Sequence, residues 1–511
     1  MRLRISLLAH CVLQGSSMHF RILQVCFALP VPLPGCLALP APVQPTSLSG
    51  LQRRRVAPLR ASCAAAAGAG LSVDEALVAG GGWGASQRRL RLKLGAAYAY
   101  VGADNLLGVF LVEAIAARGW RGSVLSLPQE QAVKSFFFAG GCVGLLVAGP
   151  LADAFGRRPV LVWFTALRTF ATLACFACPS LAPLLAARAL AGAGCAGSFN
   201  VIFPLLAEQA PPGKRATLKR DLGLAWNGGV LALVGGAFLL RSRPPRALAL
   251  LFLPSVAVSF ALAGVAESPR FVAQAKGPGA ALEPLRKIAR ANSVTTGSLF
   301  RDDAFIVPES AVDDARPCAG SGALFRGGRW RLSLALALLN FVASGTYYGL
   351  ALAPRASSTA GVFATQALAT ALEVPALLVV APLADRLGRR KAVSILFAAC
   401  AFACAALAAL ASLDGAAPYA GAATLAALLL GRCTGQAAGT IKWVLNAEAF
   451  PTSCRITGLA FVGAAGQLGG WLAPMCFGVL PRPFLAFACA LSAMPLLVFA
   501  CVPETNGKPL R

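Results

Sequence analysis

Charged residues are scarce in this chain: Asp, Glu, Lys and Arg make up 13% of its 511 residues, while 57% are hydrophobic. A water-facing surface needs roughly twice that charge density, which excludes an ordinary soluble enzyme and indicates a polytopic membrane protein. Histidine is rarer still. Its two copies, His10 and His19, both lie near the N-terminus, so any proton relay in the apolar body must use carboxylates. There is no Walker-type phosphate-binding motif, which argues against direct drive by ATP. No nucleophile and base pair up and no metal-ligand cluster stands out, so no catalytic residue, metal or cofactor is expected. The 16 cysteines are scattered through apolar runs. The one C-x-x-C, Cys175 to Cys178, falls inside such a run and reads as buried small residues. Finally, residues 1–73 contain seven arginines and no acidic residue.

Apolar runs, by contrast, are abundant. Twelve of them, each about 20 residues and so long enough to cross a bilayer, lie near 91–112, 131–152, 159–178, 182–206, 221–240, 246–265, 332–353, 360–384, 391–412, 418–446, 455–478 and 483–501. The net charge of +26 would suggest nucleic acid in a soluble protein. Here Lys and Arg sit in the short connectors between runs, where they set orientation, and no nucleic-acid partner is expected. Connectors leading from even to odd runs carry about 21 Lys and Arg against about 7 in the opposite set, which places the former, with both chain ends, on the cytosolic side or its equivalent. One connector dissents, with Arg241, Arg243 and Arg246 on the opposite side.

Two motifs occur twice. Gly149-Pro150-Leu151-Ala152-Asp153-Ala154-Phe155-Gly156-Arg157-Arg158 returns as Pro382-Leu383-Ala384-Asp385-Arg386-Leu387-Gly388-Arg389-Arg390, its Gly-Arg-Arg 232 residues later. An A-E-x-x-P-x-x-x-R pattern runs from Ala207-Glu208 to Arg215 and again from Ala447-Glu448 to Arg455, 240 residues apart. The chain is therefore a duplicated unit of about 240 residues, which in an apolar chain marks a two-halved transporter. Gly156 and Gly388 permit a tight turn between antiparallel helices, and Asp153 and Asp385 end a helix where an arginine or a helix N-terminus can pair with them. Five segments follow: 1–85 an N-terminal extension, 86–266 a first six-helix bundle, 267–330 a hydrophilic linker with one or two short surface helices, 331–502 a second bundle, and 503–511 a tail. Residues 1–73 have transit-peptide composition. Their apolar run from Ile22 to Pro34 is too short and too proline-rich to span, so targeting to an organelle, a plastid envelope foremost, followed by removal is expected. The alternative is a disordered tail on a protein of the plasma or a vesicle membrane.

The doubled hinge resembles the signature loop of the major facilitator superfamily. That resemblance implies an all-α polytopic membrane protein with twelve transmembrane helices in two pseudo-symmetric six-helix bundles. Ala381 replaces the motif's leading glycine in the second copy. Glu267-Ser268-Pro269-Arg270 and Pro503-Glu504-Thr505-Asn506-Gly507 resemble the signatures of sugar porters and their relatives. The seventh run reads Ser344-Gly345-Thr346-Tyr347-Tyr348-Gly349 instead of the glutamine-rich sequence of true sugar porters, and the eighth carries Leu372-Glu373-Val374-Pro375. Those two stretches are similar to SVOP-like (synaptic-vesicle-two-related) transporters and to organic cation transporters. The short connector after the first run disfavours organic cation transporters, the short one after the seventh disfavours synaptic vesicle glycoproteins proper, and SVOP-like members match best over residues 83–508.

A charge near the bilayer centre costs about 2.5–3.5 kcal/mol on the insertion scale, so each needs a reason. Asp104 lies about 20 Å into the first run and Glu373 roughly 18 Å from Asp385 in the eighth, at 1.5 Å per residue. The resemblance implies that Asp104 carries a coupled proton under the control of Arg188, which stands twenty residues before Glu208. Glu373 is either a second proton or cation site or a structural partner of a polar group in the seventh run. Asn340, Tyr347 and Tyr348, with Gln436, Lys442 and Trp443, lie on runs that line the cavity in that superfamily, and are candidate substrate contacts. Arg168 matches no motif. Glycines 192, 194, 197, 463, 466, 469 and 470 allow close helix approach. At the cytosolic face, Asp153, Arg157, Arg158, Glu208, Arg215 and Glu267 of the first half and Asp385, Arg389, Arg390, Glu448 and Arg455 of the second are expected to form a gate.

The expected function is secondary active transport of a small organic solute by alternating access, with proton symport, by a lipid-embedded monomer. A non-transporting sensor on the same fold and a facilitative uniporter for a sugar or organic ion are the alternatives.

Overall fold

The computed structural model describes residues 72–118, 125–211, 214–294, 324–325, 330–353, 359–412, 420–450 and 455–504. The expected targeting segment lies outside these residues, save for Ser72 and Val73. A short helix α1 (Val73–Ala79) precedes the first bundle, which comprises α2 (Ala85–Arg118), α3 (Leu127–Phe155), α4 (Arg157–Cys175), α5 (Leu181–Glu208), α6 (Arg215–Leu239) and α7 (Pro245–Ala263). Linker helices α8 (Pro269–Lys276) and α9 (Leu282–Ala291) follow, as the hydrophilic stretch predicts. The second bundle comprises α10 (Trp330–Leu352), α11 (Thr359–Leu387), α12 (Arg389–Ala411), α13 (Ala420–Ala449), α14 (Arg455–Val479) and α15 (Pro483–Cys501). All twelve predicted spans are helices. Among the described residues, ten are long and apolar enough to cross a membrane by composition. The two that fall short, α4 and α13, hold Arg168 and Arg432, both fully buried.

Each hinge is built by one glycine and one remote glutamate. Gly156 and Gly388 adopt φ of 104° and 86° with extended ψ of 162° and 153°, a region that costs a side chain about 1–3 kcal/mol. Glu267 accepts hydrogen bonds from the backbone N–H groups of Arg157 and Arg158, the first residues of α4. Glu504 does the same for Arg389 and Arg390 at the start of α12. A carboxylate there satisfies orphan donors and opposes the helix dipole. A Cβ on Gly156 would stand 2.4 Å from Glu267 Oε2, so the glycine also makes room for the cap.

Backbones touch where glycine and alanine meet. A Cβ on Gly192 of α5 would come within 1.7 Å of the Phe137 carbonyl on α3, and one on Gly469 of α14 within 2.1 Å of the Phe341 carbonyl on α10. The glycines picked out from the sequence thus sit at close helix crossings in both halves. Large apolar side chains such as Phe170, Phe260, Phe402 and Leu496 are exposed around the outside, as a protein solvated by lipid requires. At the hinge face, Val73, Ala76 and Leu77 of α1 pack with Leu285, Ile288 and Ala289 of α9. This part of the expected N-terminal extension is therefore folded onto the linker.

Candidate functional site

A cavity of about 290 Å³ lies between the two halves. The first half presents Tyr98 and Asn105 on α2, Phe137 on α3, Phe199 on α5, and Lys219 and Trp226 on α6. From the second come all six substrate candidates: Asn340, Tyr347 and Tyr348 on α10, and Gln436, Lys442 and Trp443 on α13. Their roles differ. Asn340 and Asn446 pair through their amides at 3.2–3.3 Å, fixing α10 to α13. Tyr348 lies 4.3 Å from the Phe138 ring, so part of its surface is spent on packing. Lys442 Nζ donates to Ser344 Oγ at 3.2 Å. Lys219 Nζ stands 5.4–5.6 Å from the ring centres of Phe199, Phe203 and Trp443, within cation–π range. Among the described residues lining the cavity none is acidic, while Lys219, Arg220 and Lys442 are basic. Lys219 falls in the connector before the fifth run, 221–240, and so was not singled out from the sequence; the helix begins at Arg215 and carries Lys219 inward.

Behind the cavity wall each half buries one carboxylate–arginine pair. In the first, Arg168 Nη1 donates to Asp104 Oδ2 at 2.7 Å, and Thr172 Oγ1 to Oδ1 at 2.8 Å; the carboxylate and guanidinium side chains are fully buried. This corrects the expected pairing of Asp104 with Arg188. Arg168 and Thr172 are four apart on α4 and offer both donors from one helical face. Arg188 turns its guanidinium over the Phe137 ring at 4.6 Å and reaches the Asp104 backbone carbonyl only at 3.5 Å. Arg168, which the sequence left without a partner, is the carboxylate's ion pair. In the second half Glu373 Oε1 accepts from Arg432 Nη2 at 2.6 Å and Nε at 2.9 Å, while Tyr347 donates to the same carboxylate at 3.3 Å. Arg432 also donates to Gln366 at 3.0 Å. Arg432 escaped the sequence reading, although a lone arginine deep in the tenth run was a sufficient signal.

At the hinge face the gate candidates form ion pairs among themselves. Arg157 lies 3.1 Å from Asp153 and 3.8 Å from Glu208, and Arg389 lies 2.6 Å from Asp385 and 3.6 Å from Glu448. Arg158 and Arg390 donate to carbonyls of α7 and α15, those of Ala263 and Phe499. Arg215 pairs with Asp74 of α1, which also takes Arg270 at 2.7 Å. The Arg455 side chain lies outside the described residues. Burial pushes the Asp74 carboxyl up, but the hydrogen bonds and charges of Arg215 and Arg270 outweigh it and hold it below the ordinary carboxylate range.

Two six-helix halves around a shared polar cavity, with doubled glycine hinges on one face, define a multi-pass transporter of the major facilitator fold. The solved structures of that fold agree. The proton:xylose symporter XylE bound to 6-bromo-6-deoxy-D-glucose superposes with a TM-score of 0.64 at 18% identity, covering 83% of this chain and 97% of that one. The inward-open xylose transporter XylE from E. coli gives 0.61 at 16% identity, covering 83% and 98%. In sequence, human solute carrier family 22 member 11 is 30% identical over 385 residues, spanning 74% of this chain and 68% of that protein. Bovine solute carrier family 22 member 7 is 30% identical over 392 residues, spanning 74% and 70%. The family described as Sugar (and other) transporter matches residues 113–511, and the chain belongs to it.

Proposed function

We propose that the protein is a proton-coupled secondary carrier of small organic anions, with 86–266 and 331–502 as the two bodies that rock around the cavity. The observation that carries this reading is the pair of lysines, Lys219 and Lys442, facing one aromatic-walled cavity that has no acidic lining among its described residues. Cations in a water-poor site favour a carboxylate or similar anion and disfavour an amine, and Trp443, Tyr347 and Phe199 suit a flat or apolar body. Asp104 and Glu373 are the proton sites in this reading, each taking a proton as its arginine is withdrawn and releasing it as the arginine returns. Tyr-Tyr-Gly and Glu-Val-Pro support a place beside SVOP-like transporters, while the relatives at 30% identity are solute carriers of family 22. Monomeric action and residence in an organelle membrane belong to the same proposal. The test is uptake into proteoliposomes of size-matched aromatic carboxylates, amines and neutral sugars under an inward proton gradient. Carboxylate uptake should dominate, and Lys442→Gln should raise its KM about tenfold or more, the worth of about 1.4 kcal/mol. Preferential uptake of the amines would overturn the reading.

A further inference from the structure

A second and larger hollow, about 740 Å³, opens on the outside of the first half. Its floor is one face of α2, at Arg91, Leu92, Gly95, Ala96, Ala99, Tyr100 and Ala103, and its far wall is α6. A spanning helix normally packs side chains against such a face, yet Gly95, Ala96 and Ala99 remain half exposed, Leu92 is 68% exposed and Gly228 on α6 is exposed. The opening is real space: a Cβ on Gly228 would meet no heavy atom within 4 Å, and one on Gly95 only Ala225 Cβ at 3.9 Å. The floor is closed, since a Cβ on Gly229 would stand 1.9 Å from the Ala99 carbonyl. From Arg91 to Ala103 the groove runs about 18 Å at the helical rise, close to the roughly 15 Å hydrocarbon depth of one leaflet.

The two ends of the groove differ in chemistry. The inner end is apolar and finishes at Leu251 and Phe252 of α7. At the hinge-side mouth Arg88, Arg89, Arg91 and Lys93 crowd into six residues of α2. Arg91 bridges to Asp221 on α6 at 2.8 Å and Lys93 to the Ala261 carbonyl on α7 at 3.1 Å. Arg88 and Arg89 are exposed. A slot of one leaflet's depth with a basic mouth matches a two-part amphiphile, one acyl chain below and an anionic headgroup above.

We infer that this groove between α2 and α6 binds a phospholipid of the hinge-side leaflet, one acyl chain lying along Gly95, Ala99 and Gly228 and an anionic headgroup held by Arg88, Arg89 and Arg91. The position gives the lipid something to do. Tyr100, at the groove's inner end, lies 5.4 Å beneath the Arg168 guanidinium, so one side chain separates the acyl chain from the Asp104–Arg168 pair. A chain in place keeps water and headgroups away from that pair on the lipid side.

The full-length protein in nanodiscs of zwitterionic lipid, doped with a phosphatidylglycerol carrying a photoreactive acyl chain, tests this. Cross-links should concentrate in peptides covering 92–103 and 224–232, at least tenfold above the same probe with a phosphatidylcholine headgroup. Gly228→Phe should reduce labelling there to the level of the other lipid-facing helices, and Gly95→Leu offers a second filler should the first fail to fold. Arg88→Gln with Arg89→Gln should abolish the preference for the anionic probe while leaving the peptide pattern. Labels spread evenly over all outward faces would mean annular lipid only and overturn the proposal, as would equal labelling by the two headgroups or an unchanged pattern in both filled variants.

Discussion

The two buried carboxylates are where single atoms decide most. Removing one partner of a buried ion pair costs about 3–5 kcal/mol, because the other charge is left unsolvated. Asp104→Asn would therefore both lower thermal stability and remove the proposed proton site, and a transport defect alone would be ambiguous. The double substitution Asp104→Asn with Arg168→Gln separates the two. It should recover most of the lost stability in an unfolding assay yet still fail to accumulate substrate against its gradient, with counterflow exchange retained. Normal pH-driven accumulation in the double variant would exclude Asp104 from coupling. Asp104 and Glu373 were legible because a carboxylate in a long apolar run has no cheap explanation. Their partners were less so: an arginine's reach covers several helix turns, and sequence spacing alone does not say across which helix gap it extends. Arg188 has the expected spacing but faces Phe137, and only the folded arrangement shows that the Arg168 side chain reaches across from α4 to take the carboxylate.

Among the elements, the hinges show how a motif can be readable in position but not in partner. Gly156 and Gly388 were legible as turns. That Glu267 and Glu504, 111 and 116 residues further on, cap the helices those turns begin follows only from where α7 and α15 end. Helix α1 was not legible at all, since seven residues with three buried apolar side chains are too few to show a period. It is held by burial of Leu77 against Leu285 and Ile288, roughly 1.5–3 kcal/mol for a buried leucine, and by Asp74. With a folded pKa below the unfolded one, Asp74 stabilises the docked helix fully above the ordinary carboxylate range. That contribution is lost as pH falls through its lowered folded value. The pairs are about three-quarters buried at best, and solvent screening holds each to about 1 kcal/mol. Protection of the amides of residues 73–79, with exchange taken relative to the unfolded-chain rate at each pH, should accordingly stay high at pH 5 and above and fall only at more acid pH, whereas Asp74→Asn should show low protection that is insensitive to pH over that range. An identical pH profile in the variant would remove Asp74 from the clasp.

For the whole molecule, the duplication was legible because two motifs recur at nearly one spacing, and the apolar runs fixed the number of helices. Which charges meet at the hinge face was not. The expectation was that these charges form a gate; the ion pairs of Arg157 and of Arg389 each tie together helices of one half. Such clusters can still gate, by setting the shape of the two faces that meet on closing. Glu208→Gln together with Glu448→Gln should shift the carrier toward the state open on the hinge side and slow transport more than it weakens binding. Cysteine labelling from the two sides would show this, and an unaltered ratio of labelling would discount the gate. The lysines of the cavity have a consequence in electrical terms. A carrier that reorients empty moves two uncompensated positive charges through part of the membrane field, at up to about 2.3 kcal/mol per charge per 100 mV. A carrier loaded with an anion moves less. Voltage should therefore act chiefly on the empty return step: net uptake from one side should change steeply with membrane potential, one-for-one exchange of substrate should respond more weakly, and substrate-free protein should pass transient charge when the voltage is stepped, a signal that Lys219→Gln with Lys442→Gln would remove.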